Sequence, residues 1–248
     1  MPFTFSHPAI ILPLSKISSK YISFTGLIVG SMSPDFEYFI RMRMHRSHSH
    51  DLDAMIWFNL PICFALALIY HLVVKVSFVN HLPHWLSSRL KIYNSIDWLS
   101  WFKSHWYVFI YSALIGIFSH ILWDSFTHQS GIFGDRFTFL TYTFNIFGKE
   151  VVLFSLLQQL SSYFGAIYIF IFLKRLPSKS IIRIPLLQKF LYWMTVFIVF
   201  SFILLIRDLT DISVFIATGI SAVLIGIIIS SLLSPYYEKV FIGKNSEF

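Results

Sequence analysis

The chain has 248 residues, of which 56% are hydrophobic and only 12% charged, and its mean hydropathy is +0.70. Soluble domains carry about twice that share of charge, so a water-facing globular surface is excluded and an integral membrane protein is indicated. The net charge of +7 has no polar face on which basic and base-stacking side chains could gather, which excludes a nucleic-acid partner, and the single cysteine, Cys63, allows neither an intramolecular disulfide nor a thiolate metal cage.

The opening MPFTFSHPAIILPL has neither a basic n-region nor a small-residue cleavage site, so it is expected to be part of the working protein. Residues 8–14 and 21–33 are apolar but too short to cross a bilayer, and Lys16, Ser18, Ser19 and Lys20 separate them. Either 21–33 is a lone thin span, or 7–33 dips into the membrane and returns as a hairpin with the lysines at its tip. The hairpin is preferred, because neither half spans alone. Five further stretches approach the ~20 apolar residues that a ~30 Å hydrocarbon layer requires: 55–79, 106–127, 151–173, 190–206 and 213–234. The fold class is therefore all-α, a multi-pass transmembrane helical bundle. The chain shows no repeat or heptad seam, so residues 1–248 are read as one integral domain of the cell membrane, with the lipid bilayer as its partner and the oligomeric state left open.

The loops set the orientation. Connections 80–105, 174–189 and 235–248 carry three, five and two Lys/Arg, whereas 128–150 and 207–212 carry two and one. The positive-inside rule places the first set in the cytoplasm and the second outside. Residues 35–54 then fall on the outer side despite Arg41, Arg43 and Arg46, which run against the rule and are read as arginines kept there for a purpose.

Ionisable groups near membrane depth are costly and point to function. The span 106–127 closes with His120 and Asp124, and His128 follows at the same spacing. Residues four apart share a helix face, so His120 and Asp124 suit two ligands of one divalent ion. The plainer reading is a His–Asp pair that ties two helices together. A second cluster, within 35–54, offers Asp35, Glu37, His45, His48, His50, Asp51 and Asp53. Alone it would read as a solvated charged loop. The topology puts it on the same face as 120–130, and imidazole with carboxylate suits zinc, manganese or iron. His7 joins only if the N-terminal segment is a hairpin. Ser47, Ser49, Ser119 and Gln159 could support the imidazoles, while Gln158, Gln159, Ser161 and Ser162 read as helix-packing glue.

The segments MPFTFSHPAIILPL, GLIVGSMSPDFEYFIRMR, FNLP, YSALIGIFSHILWDSFTHQSG and LLQQLSSYFG, in this order over residues 1–175, resemble the bacterial membrane family catalogued as domain of unknown function 4184. Residues 176–248, with the last two spans, carry no motif. A Gly-His-Thr step is typical ahead of the second apolar span, and Ser49-His50-Asp51 stands there, so the resemblance selects His50 over His45 and His48. Ser49 and Asp51 depart from the pattern, as do Asn59, where Asp is usual, and Gln158-Gln159, where Gln-His is expected. The layout of early His, Pro-Asp, loop His and His-x-x-x-Asp is similar to that of inner-membrane metal-dependent hydrolases, themselves grouped by likeness with zinc phospholipase C and nuclease folds.

Two readings result. In the first, His50, His120, Asp124 and Asp35, with His7, hold one divalent metal in a hydrolase of phosphoester or lipid-type substrates, and Arg41, Arg43 and Arg46 hold an anionic lipid or lipid-linked head group. In the second, the protein is a non-catalytic transporter, metal handler or assembly partner. Polar residues gathered at one surface favour the first; midplane polar groups or inverted repeats would favour the second.

Overall fold

The computed structural model describes residues 3–44, 48–128, 137–146, 148–180 and 184–242. The architecture is all-α apart from one short hairpin. In chain order it comprises 3-10 helices at Thr4–Ile10 and Leu12–Lys16, α1 (Phe24–Met32), a 3-10 turn at Ser33–Asp35, α2 (Phe36–Arg41), α3 (Met55–His81), α4 (His84–Leu90) and α5 (Trp98–Thr127). Strands β1 (Thr143–Ile146) and β2 (Lys149–Val152) follow, then α6 (Leu153–Arg175), α7 (Leu186–Ile206) and α8 (Ile212–Ile242).

Five of these helices are long and apolar enough to cross a membrane: α3, α5, α6, α7 and α8 over Ile212–Tyr237. They match the five stretches expected from hydropathy. The 23 residues of α6 rise about 34 Å, enough for the hydrocarbon layer. Its flanks Tyr163 and Phe164 are 69% and 66% exposed, as suits a helix whose solvent is lipid. Helix α5 begins at Trp98 rather than 106. His105 breaks its geometry with φ −129° and ψ 27°, so the polar prelude LSWFKSH is a helical lead-in joined to the apolar span at a kink. The β1–β2 hairpin pairs Thr143 with Val152 and Ile146 with Lys149, and Gly148 supplies the positive φ of 77° in its turn. It was not anticipated from the sequence.

The chain packs as two compact units. One comprises Met1–Phe36, Ser47–Phe64 and Leu99–Leu173; the other Glu37–Arg46, Ala65–Trp98 and Lys174–Phe248.

In the first unit, α1 lies against α5 with almost no gap. A Cβ on Gly30 would collide with the Ala113 carbonyl oxygen, one on Gly116 with the Leu27 carbonyl oxygen, and one on Gly26 would stand 2.8 Å from the Phe109 oxygen. Gly26 and Gly30 are thus the small-xxx-small step that lets helix backbones touch in lipid. Leu27, Val108, Phe109, Ala113 and Ile117 fill the contact and are fully buried. The N-terminal segment returns on itself: Thr4 Oγ1 donates to Asp35 Oδ2 at 2.6 Å, joining the start of the segment to its end. This is the hairpin, with Lys16 to Lys20 at its turn.

The second unit is built on α7 and α8. In it Tyr192 and Ser231 share a hydroxyl hydrogen bond of 2.9 Å, Ser230 Oγ donates to the Tyr192 carbonyl at 2.8 Å, and Thr195 meets Tyr237 at 2.7 Å. Hydroxyl bonds between apolar helices replace the hydrophobic drive that lipid removes.

Candidate metal centre

Four side chains of the first unit converge: Asp35 from the turn after α1, His50 from the loop before α3, and His120 and Asp124 from the last turns of α5. One ligand atom from each lies within 4.8 Å of all the others. None of the four residues is more than 6% exposed. His120 is seven residues from the end of α5, about 10 Å along the axis, so the cluster lies toward one end of the span.

The distances carry the chemistry. His50 Nε2 is 3.4 Å from Asp35 Oδ1 and 3.4 Å from Asp124 Oδ2. His120 Nε2 is 3.7 Å from Asp35 Oδ1 and 3.5 Å from Asp124 Oδ2. All four exceed the ~2.7–3.2 Å of a good N–H···O hydrogen bond. They lie close to the about 3.3 Å edge of a tetrahedron whose donors stand 2.0–2.1 Å from a central ion. Asp35 Oδ1 and His120 Nε2 have no hydrogen-bond partner although fully enclosed, which is costly for buried polar atoms. Two imidazole nitrogens and two carboxylate oxygens could hold a divalent ion such as zinc, manganese or iron, whose charge balances both carboxylates.

Three of the four groups are held by a contact on their far side. His120 Nδ1 donates to the Ser31 carbonyl at 2.7 Å, leaving Nε2 as the lone-pair nitrogen toward the cluster. His50 Nδ1 lies 3.0 Å from Ser49 Oγ, and Asn59 Nδ2 donates to the Ser49 carbonyl at 2.7 Å. Asp35 is gripped at Oδ2 by Thr4.

His7 is buried beside the four. Its ring stacks on His120 with centroids 3.8 Å apart, and its Nε2 lies 3.6 Å from Asp124 Oδ1, the oxygen turned away from His50 and His120. His128 Nδ1 approaches that same oxygen at 3.7 Å, and Gln158 Nε2 stands 3.5 Å from His128 Nε2.

The remaining sequence candidates stand elsewhere. His48 is exposed and 3.7 Å from exposed Asp51. Arg41 Nε is 3.0 Å from Glu37 Oε1, Arg43 is exposed, and Arg46, like His45 and Ser47, lies outside the described residues. Ser49 supports an imidazole as expected, whereas Ser119 Oγ donates to the Gly116 carbonyl and Gln159 is exposed. Thr4 and the Ser31 carbonyl were missed. A backbone carbonyl leaves no mark in residue type, but Thr4 is a polar residue within an apolar opening and could have been singled out.

The family described as "Domain of unknown function (DUF4184)" matches residues 1–234. The chain belongs to this family. The DUF4184 match extends past residue 175, where the sequence motifs end, and takes in α7 and most of α8. No curated protein and no solved structure matches the chain. Ser49 and Asn59 meet in the structure and support His50 together.

Proposed function

We propose that this DUF4184 protein is a membrane-embedded, metal-dependent hydrolase that acts at the surface of the cell membrane on a phosphoester or lipid-type substrate. The observation that carries the reading is the cluster of donors at tetrahedral-edge distances, longer than good hydrogen bonds and buried at one end of a span. Asp35 Oδ1, His50 Nε2, His120 Nε2 and Asp124 Oδ2 would hold the ion. When bound, a divalent ion supplies Lewis acidity and lowers the pKa of a coordinated water. The chain's own part is positional. Ser31, Ser49 and Thr4 fix the groups that face inward, and the stacked His7 keeps the His120 ring in place and water away from it. Exposed Arg43 is proposed, with Arg41 and Arg46, to attract anionic head groups.

A second reading, a metal handler without catalysis, draws on the same burial. Four protein donors in a closed shell resemble a structural site, whereas catalytic sites keep one position open. One experiment separates the two. Protein purified with bound metal is assayed on phosphomonoester and phosphodiester lipids in mixed micelles, beside a metal-stripped sample. Turnover that disappears on stripping and returns with zinc, manganese or iron supports the hydrolase; stoichiometric metal without turnover on any of these esters supports the handler.

A further inference from the structure

Beside the cluster, the N-terminal segment, α5 and α6 line a half-open cavity of about 480 Å³. Its walls include Ala9, Ile10, Trp123, Leu157, Leu160 and Phe164. Ser161, Gly165 and Tyr168 continue the same stripe of α6, and from Leu157 to Tyr168 the helix rises about 16 Å. Gly165 brings α6 onto the N-terminal segment: a Cβ there would stand 2.9 Å from the Ser6 Cβ. The volume falls within the ~300–1,000 Å³ typical of ligand pockets.

Two features specify the occupant. The wall serine hydroxyls are already committed, Ser6 Oγ to the Ser162 carbonyl at 2.9 Å and Ser161 Oγ to the Gln158 carbonyl at 3.0 Å. A space so poor in polar partners does not hold ordered water and favours hydrocarbon. His7 also stands in the wall, and its Nε2 is 3.6 Å from Asp124 Oδ1. The apolar space therefore ends against the His–Asp cluster.

We propose that this cavity binds one acyl chain of a bilayer lipid, and, resting on the hydrolase reading, that the lipid so held is the substrate whose phosphoester head reaches the cluster. The helix stripe sets the chain's path, and Ala9 and Leu160 set the width available to it.

The test uses the full chain in phosphatidylcholine vesicles doped with a phosphatidic acid that carries a diazirine at the end of one acyl chain. After irradiation, labelled residues are mapped by mass spectrometry, and bound metal is measured on the same samples. Label is expected on Leu160 and Tyr168, 42% and 43% exposed, above that on Ile167, which is more exposed at 54% but not part of the pocket wall. Leu160→Trp and, independently, Ala9→Trp are expected to abolish that excess with bound metal unchanged. Even labelling of cavity and open face in the unmodified protein, or labelling indifferent to both substitutions, overturns the chain site. Cavity labelling with no metal and no turnover removes the substrate assignment and leaves the chain site standing; loss of cavity labelling with metal and turnover intact overturns the chain site and the substrate assignment with it, and leaves the hydrolase reading standing.

Discussion

His120 and Ser31, 89 residues apart, are joined by a 2.7 Å hydrogen bond from the imidazole Nδ1 to the carbonyl oxygen near the end of α1. That bond selects the tautomer whose Nε2 faces Asp35 and Asp124. It exists because Gly30 lets the α1 backbone reach Ala113 on α5. Helix packing and ligand geometry are therefore one construction here.

Removal of a donor should release the metal. His120→Ala and Asp35→Asn are each expected to reduce metal in purified protein from near one per chain to background, read by elemental mass spectrometry. His48→Ala, at an exposed residue outside the cluster, should leave it unchanged. Equal metal in all three would remove the cluster from consideration.

Thr4 offers a finer test. Thr4→Val keeps the shape but removes the hydroxyl that grips Asp35 Oδ2. Loss of such an outer contact typically weakens metal affinity about 10–100-fold. Competition with a calibrated chelator would measure it, and Thr4→Ser should restore most of the affinity. A Thr4→Val protein with unaltered Kd would show that the contact does not orient the carboxylate.

The glycine contact should be intolerant of any side chain. Gly30→Ala places a Cβ on the Ala113 carbonyl, and overpacking of this kind costs about 1–3 kcal/mol. Its Tm in detergent should fall and its metal content with it, because the Ser31 carbonyl must move. Gly219→Ala is the control: its new Cβ would meet only Phe200 Cε2, at an ordinary 3.7 Å. Equal Tm values for the two variants would contradict the packing described.

Much of this site is written in residue types. The His120–Asp124 spacing puts both on one face of an apolar helix, and Pro34-Asp35 ends a short apolar segment. His50 could be chosen from three neighbouring histidines only through family likeness, since spacing does not distinguish residues in a loop. The five long helices were legible because lipid demands uninterrupted hydrocarbon over a fixed length. The early start of α5 was hidden, since Lys103 and His105 interrupt the apolar run without ending the helix. The β1–β2 hairpin was hidden too, because four-residue strands leave too little alternation to read.

Orientation can be checked by chemistry on intact cells. Single cysteines replacing His48 and Phe137, on a Cys63→Ala background, are expected to react with an impermeant maleimide from the same, outer side. Both positions flank segments that reach the cluster, one before α3 and one after α5. Labelling from opposite sides would break the proposed topology.

The N-terminal hairpin also bears on how the protein is made. Neither of its halves can cross the bilayer alone, and α1 meets its packing partners Ala113 and Gly116 only after some eighty further residues have been synthesised. The segment can therefore dock on α5 only after α5 has been made. The last two ligands, His120 and Asp124, arrive with that same helix. A chain stalled before α5 therefore lacks two of the four side chains that could hold an ion, and the candidate cage closes only with that helix.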